Sequence, residues 1–285
     1  MNAPEAALPP NYQATLDRFV AACRADARVV AAFLGGSYAR GTADAYSDLD
    51  LGLITTDAAY ADFFAEREAF VRVLGVPLFL EDWNGAGVDM LFFIFPDGVE
   101  GELALGQESH FAHIHAGPYR VLLDKGGKQG ILASAVFPVS EPTVDPAAQR
   151  ATIHRQIYWF WHDLSHHFIT PLARGELWGA YGCLEEMRRA CVNLARLRHN
   201  SAAELDGLDG YEKVEYALPV GQLAPLASTV CPLERGAMLR AAGLIVDFYR
   251  ELASELAQAH GVAYPTDLDR MMAARLEHLA RANGG

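Results

Sequence analysis

Apolar residues recur in two different rhythms along this chain, and the rhythm changes near its middle. Leu16, Phe19, Val20 and Cys23 fall on one face of a helix beginning near Asn11. The unbroken apolar run 29–34 predicts a buried strand, followed by a turn containing Gly35-Gly36-Ser37. After a polar loop, the run 47–54 alternates. Leu49, Leu51 and Leu53 take one face of a strand, and Asp48 and Asp50 take the other. Asp57 reads as the N-cap of one helix carrying Tyr60, Phe63, Phe64, Val71 and Leu74. Strand-like runs follow at 77–81, 88–95 and 99–105, the last two joined by the hairpin signal Pro96-Asp97-Gly98. Residues 119–123 read as a further short strand.

Residues 138–146 carry three prolines and read as a linker. Beyond it the period is helical. Ile153, Ile157, Trp161, Leu164 and Phe168 form one stripe, and Leu184, Met187, Cys191 and Leu194 a second. Leu239, Val246, Tyr249, Leu252 and Leu256 form a third, and Leu268, Met272, Leu276 and Leu279 a fourth. Four amphipathic helices predict a bundle. The expected fold class is therefore α+β: a mixed β-sheet with helices over residues 1–140, then an α-helical bundle over 141–285. A length of 285 residues, about twice an ordinary domain, agrees with two domains.

Composition adds little to the fold but narrows the partners. The chain is 51% hydrophobic and 21% charged, as expected of a folded globular protein. Its start lacks a basic segment followed by an apolar one, and the run 90–95 is far too short to span a bilayer. Cys23, Cys183, Cys191 and Cys231 show no metal-binding spacing, and Cys183 and Cys191, eight apart on one helix face, read as small core residues. A cytoplasmic location and no membrane partner are expected. The net charge of −13 is uneven, −9 over residues 1–140 and −4 over 141–285. Gripping a polynucleotide needs clustered Lys and Arg, which are missing, so no nucleic-acid partner is expected. Excess acid favours metal ions and small cations.

The chemistry concentrates in residues 34–54. A Gly36-Ser37 turn after a strand lets backbone N–H groups and a hydroxyl approach an anion with no Cβ in the way. Ten residues on, two carboxylates on one strand face offer the hard oxygen ligands that suit Mg²⁺ together with substrate phosphates. This segment resembles the polymerase-β-like nucleotidyltransferase superfamily, whose signature is Gly-Ser, a spacer and Asp-x-Asp among hydrophobics. Here it reads Gly36-Ser37, then Ser47-Asp48-Leu49-Asp50-Leu51.

The resemblance implies ATP over Gly36 and Ser37, with Arg40 and Ser47 as further nucleotide contacts. It also implies a third carboxylate on a neighbouring strand. Glu100 and Glu102 share strand parity, so alternation cannot separate them. Glu102 is favoured because it lies deeper in its run, and Glu100 reads equally well as edge solvation. Asp48, Asp50 and Glu102 would then hold two Mg²⁺ about 3.5–4 Å apart. The general base would be Glu102, or one of Glu185 and Glu186.

Within that superfamily the chain looks like the aminoglycoside and lincosamide nucleotidyltransferases, to which residues 172–178 and 184–189 bear a looser likeness. That implies a nucleotide and a small, cationic, hydroxylated acceptor. A protein or RNA acceptor, or a silent nucleotide-binding module, is the rival reading.

Other residues invite weaker readings. His162 and His166 have metal-ligand spacing but no evident third ligand, so polar-face histidines are the better reading. His110, His113 and His115 either line a cleft or sit exposed on a loop. Trp159, Trp161 and Trp178 read as core before they read as ring-stacking residues. Lys125 and Lys128 read as a solvated turn before a triphosphate contact.

Overall fold

The computed structural model describes residues 8–85, 88–109, 119–127, 146–199 and 210–282. The chain divides into two compact units, Met1–Ser140 and Glu141–Gly285.

In the first unit a six-stranded mixed sheet has the order β3-β4-β5-β2-β1-β6. The strands are β1 (Val29–Leu34), β2 (Leu49–Thr55), β3 (Phe79–Gly85), β4 (Val88–Ile94), β5 (Glu100–Gln107) and β6 (Arg120–Asp124). Among the described residues only the β2–β5 pairing is parallel; β1–β2, β1–β6, β3–β4 and β4–β5 are antiparallel. Helix α1 (Pro10–Ala25) opens on a proline, whose missing N–H costs nothing in a first turn. Its Leu16, Phe19 and Cys23 are buried as their spacing predicts, with Val20 only partly so. They pack with Phe63, Phe70 and Leu74 against one face of the sheet, to which Leu49, Leu51, Leu91, Phe93 and Leu103 contribute.

Two local expectations fail here. Gly36 and Ser37 do not form a simple turn; they open a short helix α2 (Gly36–Arg40) directly behind β1. The single helix expected after Asp57 is broken into a 3₁₀ turn (Asp57–Ala59), α3 (Tyr60–Ala65) and α4 (Arg67–Leu74). Asp57 caps none of them. Its carboxylate instead accepts the backbone N–H of Ser109 at 2.9 Å, a partner 52 residues away.

The second unit is helical: α5 (Pro146–Asp163), a π-helical segment (Leu164–Ile169), α6 (Thr170–Ala173), α7 (Leu177–His199), α8 (Val214–Ala217), α9 (Val220–Ser228), α10 (Arg235–His260) and α11 (Thr266–Arg281). The four predicted stripes form its core, with Leu268 at the margin. Pro146, expected in the linker, starts α5; residues 138–145 lie outside the described residues. The first stripe does not run on an uninterrupted α-helix. Pro171 has no N–H to offer, and the ladder ahead of it widens, with Thr170 donating its N–H and hydroxyl to Ser165 O. Trp161 is fully buried, but Trp159 (54% exposed) and Trp178 (79% exposed) are not core residues. No helix among the described residues is long and apolar enough to cross a membrane.

Candidate active site

Strand pairing places the acidic residues. β2 and β5 run in parallel with Asp50 directly opposite Glu102. Paired residues project from the same side of a sheet, here the side away from the helix-packed core. Asp48 sits one residue ahead of β2, at the exposed mouth of the same strand. Glu100 lies at the start of β5, exposed, opposite Ile94 of β4 and one residue outside the β2–β5 ladder, which begins at Leu49 and Gly101. The structure therefore brings Asp48, Asp50 and Glu102 together and leaves Glu100 at the rim.

Electrostatics agrees with that geometry. The Glu102 carboxyl is pushed up to about 7, first by burial and then by the negative charges of Asp50 and Asp48. Its folded pKa stands above the ordinary 4.5, so the folded protein holds this proton longer than the unfolded chain does. The resulting stabilisation is complete below about pH 4.5 and is lost as pH rises towards 7. Thermal melts of the chelator-treated protein are expected to fall between pH 5 and pH 8. Glu102→Gln, which cannot ionise, should flatten that decline. Identical pH slopes in the two proteins would refute the assignment.

The backbone beside the carboxylates is unusually close. Gly35 N–H donates to Asp50 O at 2.7 Å, tying the end of β1 to β2. Gly36 has φ +56°, and a Cβ there would lie 1.6 Å from Asp50 Oδ2. Only glycine lets the carboxylate lie against the start of α2. Ser37 Oγ is buried and has no hydrogen-bond partner among the described residues. An orphaned hydroxyl, a backbone cradle and three hard carboxylate donors together fit a magnesium–nucleotide group.

The remaining predicted contacts divide. Arg40 ends α2 and is exposed. The Ser47 hydroxyl is engaged within its own loop. It accepts Asp44 N–H at 2.9 Å and donates to Asp44 Oδ1 at 3.2 Å, so Ser47 shapes the turn that presents Asp48. Lys125 donates to the carbonyls of Cys23 and Asp26, both at 2.8 Å, closing the C-terminus of α1. Lys128, His110, His113 and His115 lie outside the described residues.

Two supports escaped the sequence reading. Gly52 on β2 receives the Phe33 ring so closely that a Cβ would lie 2.2 Å from it. Tyr119 stacks at a tilt on that ring, with centroids 4.7 Å apart, and borders Gly35. A glycine inside an apolar strand was the available signal.

In the helical unit, the Glu185 carboxylate is held by Arg188, and Glu186 is exposed. His162, Asp163 and His167 bring possible ligand atoms within 4.8 Å of one another. Of the expected pair only His162 belongs to this group; His166 does not, and the π-helical segment that begins at Leu164 brings His167, five residues on, towards His162.

Comparison with known proteins adds an independent line. Residues 11–279 match the model of a family described as streptomycin adenylyltransferase. Among solved structures, an aminoglycoside 6-adenyltransferase from Bacillus subtilis aligns at 17% identity over 95% of this chain and 99% of that one, with a TM-score of 0.43. A nucleotidyltransferase-like protein from Exiguobacterium sibiricum aligns at 12% identity over 86% and 76%, with a TM-score of 0.38. No curated protein matches the chain.

Proposed function

The chain belongs to the streptomycin adenylyltransferase family and is an adenylyltransferase, and from that premise we propose that it transfers AMP from ATP to a hydroxyl of a cationic aminoglycoside-type acceptor. The observation that carries this reading is the Asp50–Glu102 pair, in register on adjacent strands beside the Gly36-Ser37 cradle.

In this reading Asp48, Asp50 and Glu102 hold Mg²⁺. When bound there, the metal supplies neutralisation of phosphate charge and polarisation of the phosphoryl oxygens. The backbone at Gly36 and the Ser37 hydroxyl position the triphosphate, with Arg40 as a further cationic contact. The chain itself does little covalent work, so orientation and electrostatics dominate. The acceptor oxygen forms a bond to the α-phosphorus, the bond to the β-phosphate oxygen breaks, and pyrophosphate leaves. Glu102 takes the acceptor's proton on its carboxylate. Glu185 is the less favoured candidate, since Arg188 holds its carboxylate. Catalysis belongs in this reading to residues 1–140, and acceptor selection in part to residues 141–285.

Pyrophosphate release from Mg-ATP with streptomycin and related aminoglycosides tests the proposal. Glu102→Gln is expected to lower kcat by about 10²-fold or more, whereas Glu100→Gln should stay within about twofold of wild type. Equal loss in both variants would remove Glu102 from its assigned role. No acceptor-dependent release from the wild-type protein, with ATP binding intact, would move the search to protein or RNA acceptors.

A further inference from the structure

The sheet face that carries the carboxylates continues well beyond them. In register across β3, β4, β5 and β2 stand Glu81, Phe92, Glu102 and Asp50, one side chain per strand. The next row on the same face is Trp83, Met90, Ala104 and Gly52. The alternate residues, Leu80, Leu91, Phe93 and Leu103, point to the opposite face and pack into the helix-covered core. Asp82 also points that way and is paired with Arg67.

Among the described residues the β3 part of this face is exposed. Trp83 is 45% exposed, Glu81 is exposed, and Phe92 and Met90 are partly covered. Glu81 makes no ion pair among the described residues. An apolar strip interleaved with acidic side chains is an uncommon use of an exposed sheet surface.

Position along the sheet separates the two substrates. Asp50 has β1 on one side, ending at Gly35 and the Gly36-Ser37 cradle, where backbone and hydroxyl donors meet an anion. On its other side, the row through β5, β4 and β3 offers two further carboxylates around an aromatic ring and no Lys or Arg. Phosphate is repelled there and a cation is favoured.

Strands lie about 4.8 Å apart, so Glu81 stands about 10 Å from Glu102. That span suits a ring-bearing polyol with its reacting hydroxyl at one end and an ammonium or guanidinium at the other. Phe92 lies between to receive the apolar face of a ring, and Trp83 flanks Glu81, where an indole adds attraction for a cation.

We propose that Glu81, Trp83 and Phe92 form an acceptor platform that binds the distal cationic group and ring of the acceptor while its hydroxyl sits at Asp50 and Glu102. This rests on the transfer reaction proposed above. It assigns to the first unit a determinant of acceptor specificity separate from the catalytic carboxylates.

The test is steady-state pyrophosphate release with Mg-ATP and streptomycin for wild type, Glu81→Gln, Glu81→Asp and Trp83→Ala, with thermal melts to confirm folding. Glu81→Gln is expected to raise the streptomycin KM about tenfold. Its kcat and ATP KM should stay within about twofold of wild type, and Glu81→Asp should recover most of the loss. The wild-type streptomycin KM should rise with ionic strength more steeply than that of Glu81→Gln. Trp83→Ala should raise the same KM about fivefold. An active wild type whose acceptor KM is unchanged in both Glu81→Gln and Trp83→Ala overturns the platform and leaves the reaction standing. A wild type that binds Mg-ATP but transfers to no aminoglycoside overturns the acceptor assignment, and the platform falls with it.

Discussion

Asp50→Asn is expected to lower kcat for acceptor-dependent pyrophosphate release by about 10³-fold, a barrier increase of about 4 kcal/mol. The substitution keeps the shape of the side chain and removes its charge, so the cradle at Gly36 should still close over it. What would be lost is the anionic charge opposite Glu102 that the proposed metal site needs. A second readout separates this electrostatic role from mere damage. Asp50 is the largest charged contributor to the raised Glu102 pKa. Removing that charge should therefore bring the Glu102 carboxyl down and move the pH-dependent loss of metal-free stability to lower pH. The metal-free melting temperature near neutral pH should be unchanged or higher, because two neighbouring carboxylates no longer repel. Near-normal turnover in a folded Asp50→Asn protein would sink the two-aspartate site.

Gly36→Ala carries the second large effect, and it acts through geometry rather than charge. Its φ of +56° costs a residue with a Cβ about 1–2 kcal/mol. The new methyl would also overlap Asp50 Oδ2 at 1.6 Å, so either the carboxylate swings away or the start of α2 moves. The first response displaces the carboxylate and the second the Gly36-Ser37 cradle, and the proposed site depends on both. A misplacement of that order is expected to cost about 10²-fold or more in kcat. Circular-dichroism melts should show a fall of about 2–8 °C from the strain alone. Gly41→Ala is the matched control. Gly41 has φ +71°, but a Cβ there would meet nothing within 4 Å. It should show comparable destabilisation with activity largely retained. Equal activity losses in the two variants would mean that backbone strain alone, and not the carboxylate overlap, accounts for the Gly36 phenotype.

Several features were legible because they are local. A strand, a glycine pair with serine, and an alternating run with two aspartates are written in consecutive residues. So is the change from period two to period 3.6 that marks the helical half. The buried stripes of α5, α7, α10 and α11 follow directly from that period. Other features depend on partners that sequence distance hides. Asp57 has the look of a cap, yet Ser109 takes its carboxylate across 52 residues, and the helix behind it breaks at Glu66. Lys125 was one of few lysines near a glycine-rich turn, yet two carbonyls at the end of α1 claim it.

The same limit governs the third carboxylate. Glu100 and Glu102 are equivalent by alternation, since a period of two gives them the same face. Only the parallel register of β2 with β5 sets Glu102 opposite Asp50 and leaves Glu100 at the rim. By itself the sequence determined which residue types stand on which face of each element, because side-chain periodicity is a property of the local backbone. Only the tertiary structure decided which strand lies beside which and in what register. Those pairings are set by burial of the whole sheet against α1 and α4, and no stretch of consecutive residues encodes them.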